Sequence, residues 1–362
     1  MRAAAVETSK PESLHLETLC APEPAPDEVR VDVLEVGLCG TDRDIVLGKY
    51  GEAPPGESFL IIGHENLGVV SRAGSGVTSL RPGELVVATV RRPCPELCLN
   101  CQAGEIDMCR TGHFRERGIK GMHGYAAESY VEKEAYLVRV PESLTRVAVL
   151  LEPLSVVEKA LREVSFVQER LVWKAERALV TGAGPIGLLA ALVLRLRGIE
   201  THLVDLVEAD HPKAHLARAL GASFHSSDAH HGLGELVQGI GRPDVIVEAT
   251  GVSAISFPAI LTLAPNGVLV RLGLSPSRQA LALPGDVINQ VMVLENIAVL
   301  GSVNANIRDF ARGVDDLLES ERRFPGWLEG LISRRIPLSA LDAAFEKEPD
   351  DIKVVLSISP PP

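Results

Sequence analysis

At 362 residues the chain exceeds the roughly 250–300 at which a single hydrophobic core usually stops growing, so two domains are expected. Its 46% hydrophobic and 23% charged residues are ordinary for a globular protein, and a net charge of −12 argues against nucleic acid or an anionic membrane as the main partner. The first residues, MRAAAVETSKPESLHLE, hold no apolar h-region, and no run approaches the ~18 apolar residues of a membrane span, so a soluble, cytoplasmic protein is expected.

Up to about residue 140, short β-like runs are punctuated by Gly and Pro, as in EVRVDVLEVGLCG, FLIIGHENLGVV and GELVVATV, which predicts a β-rich domain with functional loops. Ligand-type side chains stand where such runs end: Cys39 in GLCGTD, His64 and Glu65 in GHEN, and Glu152 in LLEPLS. Taken singly, each has an ordinary reading as a small buried cysteine, a satisfied loop histidine or a solvated acid. Their joint occurrence with a nucleotide-binding motif further along makes them candidates for an open metal site.

Four of the six cysteines, Cys94, Cys98, Cys101 and Cys109, fall in one segment with the form CxxxCxxCxxxxxxxC. Thiolates so spaced can wrap one tetrahedral zinc ion, and four sulfur ligands leave no position for substrate, so the expected role is structural. An iron–sulfur cluster and reduced, unpaired thiols are the alternatives. The clustering favours a metal over a secreted disulfide framework. Arg91, Arg92, Arg110, Arg115 and Arg117 surround this lobe, yet the acidic balance of the chain disfavours a nucleic-acid-binding zinc finger.

From SVVEKALREV onward, helical spacing alternates with the strand runs RALVTG, THLVDL, DVIVEATG, GVLVRLGL and IAVLGS, which predicts a doubly wound parallel sheet. RALVTGAGPIGLLAALVLRLRG reads as a strand, then the turn Gly182, Ala183, Gly184, Pro185, Ile186, Gly187, then an apolar helix. In that context the glycines permit a tight turn, close approach of backbone to a pyrophosphate, and packing of helix on strand. Asp205 ends the next strand, where an acid bonds the adenosine ribose diol and repels a 2′-phosphate, favouring NAD over NADP. Lys213 follows closely enough to soften that repulsion. After about residue 304, an amphipathic helix around FARGVDDLLES leads to a final strand, KVVLSIS, expected to pack back on the first domain. The expected division is 1–153 with 305–362, and 154–304.

On GLCGTDRDIVLGKYG, FLIIGHENLGVV, the four-cysteine lobe running into GHFRERGIKGMHGY, LLEPLSVVEKAL, GAGPIG, DVIVEATG and LGSVNANIRDF, the chain resembles the zinc-containing medium-chain dehydrogenases. Within them it is most similar to the glucose (aldose 1-) dehydrogenases first known from archaea. The resemblance implies an α/β protein with a GroES-like β-rich catalytic domain and a doubly wound Rossmann domain. It further implies a catalytic zinc near Cys39, His64 and Glu65, with Glu152 where many relatives place a second cysteine, beside the structural zinc of the lobe. Thr41 matches the hydroxyl residue that receives the substrate proton, and Asp44 stands where related alcohol dehydrogenases carry a relay histidine. Glu116 in HFRERG and Asn304 in SVNAN match positions that hydrogen-bond glucose hydroxyls, Glu152 also borders the substrate, and Thr250 and Asn304 join the cofactor contacts. Val90, Val156 and Leu294 depart from the pattern, standing where asparagine, aspartate and histidine are found. The implied activity is hydride transfer from C1 of an aldose, glucose foremost, to NAD or NADP, giving the lactone, in a homodimer or homotetramer. A polyol or secondary-alcohol dehydrogenase would share every metal and cofactor residue, and a nucleotide-binding protein without catalysis is the non-enzymatic alternative.

Overall fold

The computed structural model describes residues 1–8, 10–227, 232–275 and 280–360. They form two compact units, one of Met1–Ser155, Asn304–Leu318 and Leu328–Pro362, the other of Val156–Val303 and Glu319–Trp327. This departs from the expected division at 319–327, which belong with the second unit. The reason is local bonding: Trp327 Nε1 donates to Leu216 O at 2.8 Å and Arg323 Nη1 donates to Leu196 O at 2.9 Å. Among the described residues no helix is long and apolar enough to cross a membrane.

The first unit is organised around the strand Glu28–Leu38, which buries Val29, Val31 and Val33 on one face and, past Leu34, is covered on both. It pairs antiparallel with Glu65–Ala73 along one edge, with register shifts that let it bend. Its other edge is shared: Ser129–Lys133 pairs with Glu28 to Asp32, and the final strand Lys353–Ser357 pairs with Glu35 to Leu38. The C-terminal tail therefore returns to the first domain, as expected from KVVLSIS. Full burial of Val36, Leu60, Ile62, Val86 and Leu356 in this core stabilises it by about 1.5–3 kcal/mol per side chain.

The second unit is a six-stranded parallel sheet in the spatial order Ser223–Ser226, Glu200–Asp205, Arg177–Thr181, Val245–Glu248, Val268–Arg271, Ala298–Gly301. The chain runs outward from Arg177–Thr181 in one direction and then returns to its other side, so the sheet has a switch point between that strand and Val245–Glu248. In open α/β sheets ligands bind beyond the carboxyl ends of the strands at such a point. The helix Pro185–Leu196 carries a run of buried residues from Gly187 to Leu194, which explains its nearly unbroken apolar sequence.

Candidate functional site

The strand Glu28–Leu38 delivers the chain to Cys39, and a helix, Gly40–Val46, starts directly after it where the sequence reading expected a loop. Cys39 caps that helix: Thr41 N donates to its Sγ at 3.3 Å, and Asp42 Oδ2 accepts from Cys39 N at 2.9 Å. His64 Nε2 lies 3.2 Å from Cys39 Sγ, while its Nδ1 faces Asp42 Oδ1 at 3.4 Å. A carboxylate on one ring nitrogen leaves the other to point at a metal. Cys39, His64 and Glu65 bring one ligand atom each within 4.8 Å of one another. Around one tetrahedral zinc, bonds of about 2.3 Å to sulfur and 2.0 Å to nitrogen put these two donors about 3.5 Å apart, so the set fits that ion.

Glu65 is 2% exposed and pairs through Oε2 with the ammonium of Lys353, itself 1% exposed, which also donates to Leu38 O at 2.9 Å. Burial opposes a charge on Lys353, but Glu65, Cys39 and Asp42 outweigh it and hold the amine protonated. Gly37 makes room for this pair, since a Cβ there would stand 2.1 Å from Glu65 Oε2 and 2.9 Å from Lys353 Cε. Glu152, in the first turn of the helix Leu151–Gln168, is buried but is not one of the three donors within 4.8 Å of one another. Burial pushes its carboxyl up to about 7, with Glu65 adding to the rise and His64 opposing it. Thr41 is half-buried one residue into the helix, and Asp44 pairs with Lys49 at 3.7 Å.

Asp42 and Lys353 were both missed by reasoning from sequence. Asp42 did carry a signal, because an acid three residues after a helix-capping position is the spacing of a capping box. Lys353 carried none, as its partners are far away in the chain.

In the four-cysteine lobe, Cys94 Sγ lies 3.7 Å from Cys101 Sγ, Cys98 Sγ lies 3.9 Å from Cys109 Sγ, and all four sulfurs fall within 4.8 Å. Sulfurs at about 2.3 Å around a tetrahedral ion stand about 3.8 Å apart. The sulfurs are free thiols rather than disulfides, and the set fits zinc. Cys98 N donates to Cys94 Sγ at 3.2 Å and Arg110 N to Cys98 Sγ at 3.4 Å. The Arg110 N–H brings the Cys98 thiol down to about 6, whereas burial pushes Cys101 up to about 12.

Glu116 and Asn304 are brought together. Glu116 Oε1 accepts from Arg91 Nε at 3.1 Å, Arg91 Nη2 at 2.9 Å and Asn304 Nδ2 at 3.2 Å. Asn304 belongs to the first unit, and its φ of +60° is stabilised by its own Oδ1 accepting from Ala305 N at 2.9 Å. Val90 is buried beside this strand pair, Val156 is half-buried in the helix Leu151–Gln168, and Leu294 is 79% exposed.

In the second unit, Gly182 has φ +93° and a Cβ there would stand 3.0 Å from Thr250 Cγ2, while a Cβ on Gly187 would strike Gly182 O at 1.8 Å. Those two positions admit only glycine, one for the turn and one for packing helix on strand. Nothing lies within 4 Å of a Cβ on Gly184, the residue that caps the helix opened by Pro185 and Ile186, which leaves its backbone open to a phosphate. Asp205 Oδ2 accepts from Ala183 N at 2.5 Å and Oδ1 from Val207 N at 3.2 Å, so this acid also braces the glycine turn. Thr250 N donates to the buried Glu248 carboxylate at 2.7 Å, and Lys213 N donates to His211 Nδ1 at 3.2 Å in the first turn of Pro212–Ala219.

Residues 145–358 match the family described as glucose dehydrogenase C-terminus, and residues 25–142 match the alcohol dehydrogenase GroES-like domain. The chain is 46% identical over 358 residues to glucose 1-dehydrogenase of Methanocella arvoryzae, covering 99% of each. It is 43% identical over 359 residues to glucose 1-dehydrogenase of Thermoproteus tenax, again covering 99% of each. In three dimensions it is similar to Haloferax mediterranei glucose dehydrogenase in complex with NADP, Zn and gluconolactone, with a TM-score of 0.91, 32% identity and 99% of each chain covered.

Proposed function

Because this chain belongs to the zinc-containing medium-chain dehydrogenases, in the glucose dehydrogenase family, we propose that it oxidises glucose at C1 to the lactone and passes the hydride to NAD(P). The observation that carries this reading is the Cys39, His64, Glu65 triad, whose three donors leave a tetrahedral ion one open position for substrate oxygen. A zinc ion there supplies Lewis acidity that eases loss of the C1 hydroxyl proton, and the nicotinamide ring supplies the hydride acceptor. Thr41 takes the hydroxyl proton, and Asp42 fixes the orientation of His64. Lys353 restrains Glu65, while Glu152, whose carboxyl feels the charges of Glu65 and Lys353, borders the substrate. Glu116 Oε2, which takes none of the bonds from Arg91 and Asn304, is the acceptor offered to a sugar hydroxyl. Gly182, Gly184, Pro185, Ile186 and Gly187 cradle the pyrophosphate, with Asp205, Lys213 and Thr250 beside it, and Asp205 favours NAD.

Steady-state rates with glucose, galactose, xylose, sorbitol and simple alcohols, each with NAD and NADP, test this reading. NADH formed fastest from glucose with gluconolactone as product is expected. Sorbitol or a secondary alcohol outpacing every aldose would move the assignment to a polyol or alcohol dehydrogenase, and no NAD(P)H from any of them would leave only nucleotide binding.

We also infer a homodimer or homotetramer. Ala298–Gly301 is an edge strand with one paired neighbour, and the adjacent helix Gly285–Leu294 exposes Val287, Val293 and Leu294. A free edge beside exposed apolar side chains is a surface that pairing with a second copy would cover.

A further inference from the structure

The four-cysteine lobe reaches past its own sulfurs. Asn306 Nδ2 donates to Gly104 O at 2.8 Å and to Asp107 Oδ1 at 3.0 Å, and Arg308 forms a two-pronged pair with Glu105, Nη1 to Oε1 at 2.8 Å. Gly104 to Asp107 lie between the lobe ligands Cys101 and Cys109, so a metal there fixes the stretch of chain that holds Asn306 and Arg308. The same stretch holds Arg91, whose Nη1 donates to Asp107 O at 2.8 Å while its Nε and Nη2 donate to Glu116. Glu116 in turn accepts from Asn304. Asp107 thus anchors both sides of the Glu116–Asn304 pair, through Arg91 on one side and through Asn306 on the other. Asp107, Arg91, Glu116, Asn304 and Asn306 are all buried, where bonds to water cannot replace a lost partner at no cost.

We propose that the lobe positions the sugar-binding pair, with Asp107 and Asn306 as positioning residues that hold Glu116 and Asn304 where they meet the substrate. This rests on the assignment of Glu116 and Asn304 to the sugar. A lobe that served only local stability would need none of the bonds that run from Gly104 and Asp107 to 306 and 91. Because Asn304 and Asn306 are two residues apart, loosening one end frees the other to change its backbone.

Two measurements test this. In the zinc-loaded enzyme, Asn306→Ala should raise the KM for glucose about tenfold, the effect of losing two buried hydrogen bonds, while kcat and the KM for NAD(P) stay within about twofold. Asp107→Asn, which keeps an acceptor for Asn306 and the carbonyl for Arg91, should stay near the parent. Hydrogen exchange provides the second readout without turnover: in Cys101→Ser, which loses one lobe ligand, amides of residues 303–307 should exchange faster than in the parent, with the triad metal retained. Should Asn306→Ala fold poorly, Asn306→Leu replaces it, since it keeps the volume and removes the donor without adding a charge. An unchanged sugar KM, or unchanged exchange at 303–307, would overturn the coupling. If the parent instead turns over a polyol and no aldose, the sugar assignment fails separately, and the exchange arm still decides whether the lobe holds the segment.

Discussion

Lys353 puts a positive charge among three buried acids, Asp42, Glu65 and Glu152, and beside the half-buried Cys39. Lys353→Met would leave the Glu65 carboxylate buried without its cation, which is expected to destabilise the metal-free protein by about 3–5 kcal/mol. Zinc replaces part of that charge, so the loss should shrink when the ion is present. Urea unfolding with and without zinc checks this, and equal losses in both would contradict it. Asp42→Asn removes the charge that steadies His64 and should weaken zinc binding at the triad about 10–100-fold in chelator competition, with lobe zinc unaffected. At this scale Cys39, His64 and Glu65, which the structure brings within 4.8 Å of one another, were legible as candidates because GLCGTD and GHEN place them at the ends of strands. It could not reveal Lys353, which reaches the site only because Val354 pairs opposite Leu38 at a separation no local periodicity records.

Among the elements, the short sheet of Arg91–Arg92, Arg115–Arg117 and Gly121–Met122 is tied to the strand Ser129–Lys133 by one buried acid. Glu132 pairs with both Arg92 and Arg117, the latter at 2.8 Å. Burial pushes the Glu132 carboxyl up, but the two guanidinium groups outweigh it and hold it below its ordinary value of 4.5. Since the folded value is the lower one, the pair stabilises fully above pH 4.5 and is lost as pH falls through the folded value. Glu132→Gln should therefore lower stability at pH 7 and flatten its decline in acid, read from urea midpoints at neutral and acid pH; an unchanged acid slope would count against the pair. Strands such as RALVTG and THLVDL were legible because a buried parallel sheet is written as unbroken apolar runs. The helix Gly40–Val46 was not, since its seven residues offer too few turns for a period to show and its cap is a cysteine.

For the whole molecule, the two-unit organisation followed from length and from the change of pattern after SVVEKALREV. The assignment of 319–327 did not, because it depends on where Arg323 and Trp327 find carbonyls rather than on any composition shift. The exposed face of Gly285–Leu294 leads to a test at this scale. Leu294→Lys puts a charge on the surface proposed to meet a second copy, so light scattering after gel filtration should show a smaller assembly than the parent. Identical masses would remove that face from the interface.

The edge of Glu28–Leu38 that Lys353–Ser357 covers has a consequence for how the protein is made. On the ribosome, Cys39, His64 and Glu65 emerge early, yet Lys353, which neutralises Glu65, follows hundreds of residues later. At ordinary elongation rates tens of seconds separate them. During that interval the nascent first unit has an open sheet edge and a Glu65 carboxylate without its cation, while the strands from Arg177 to Gly301 are translated. The parallel sheet can close during translation, before Lys353 arrives to pair with Glu65.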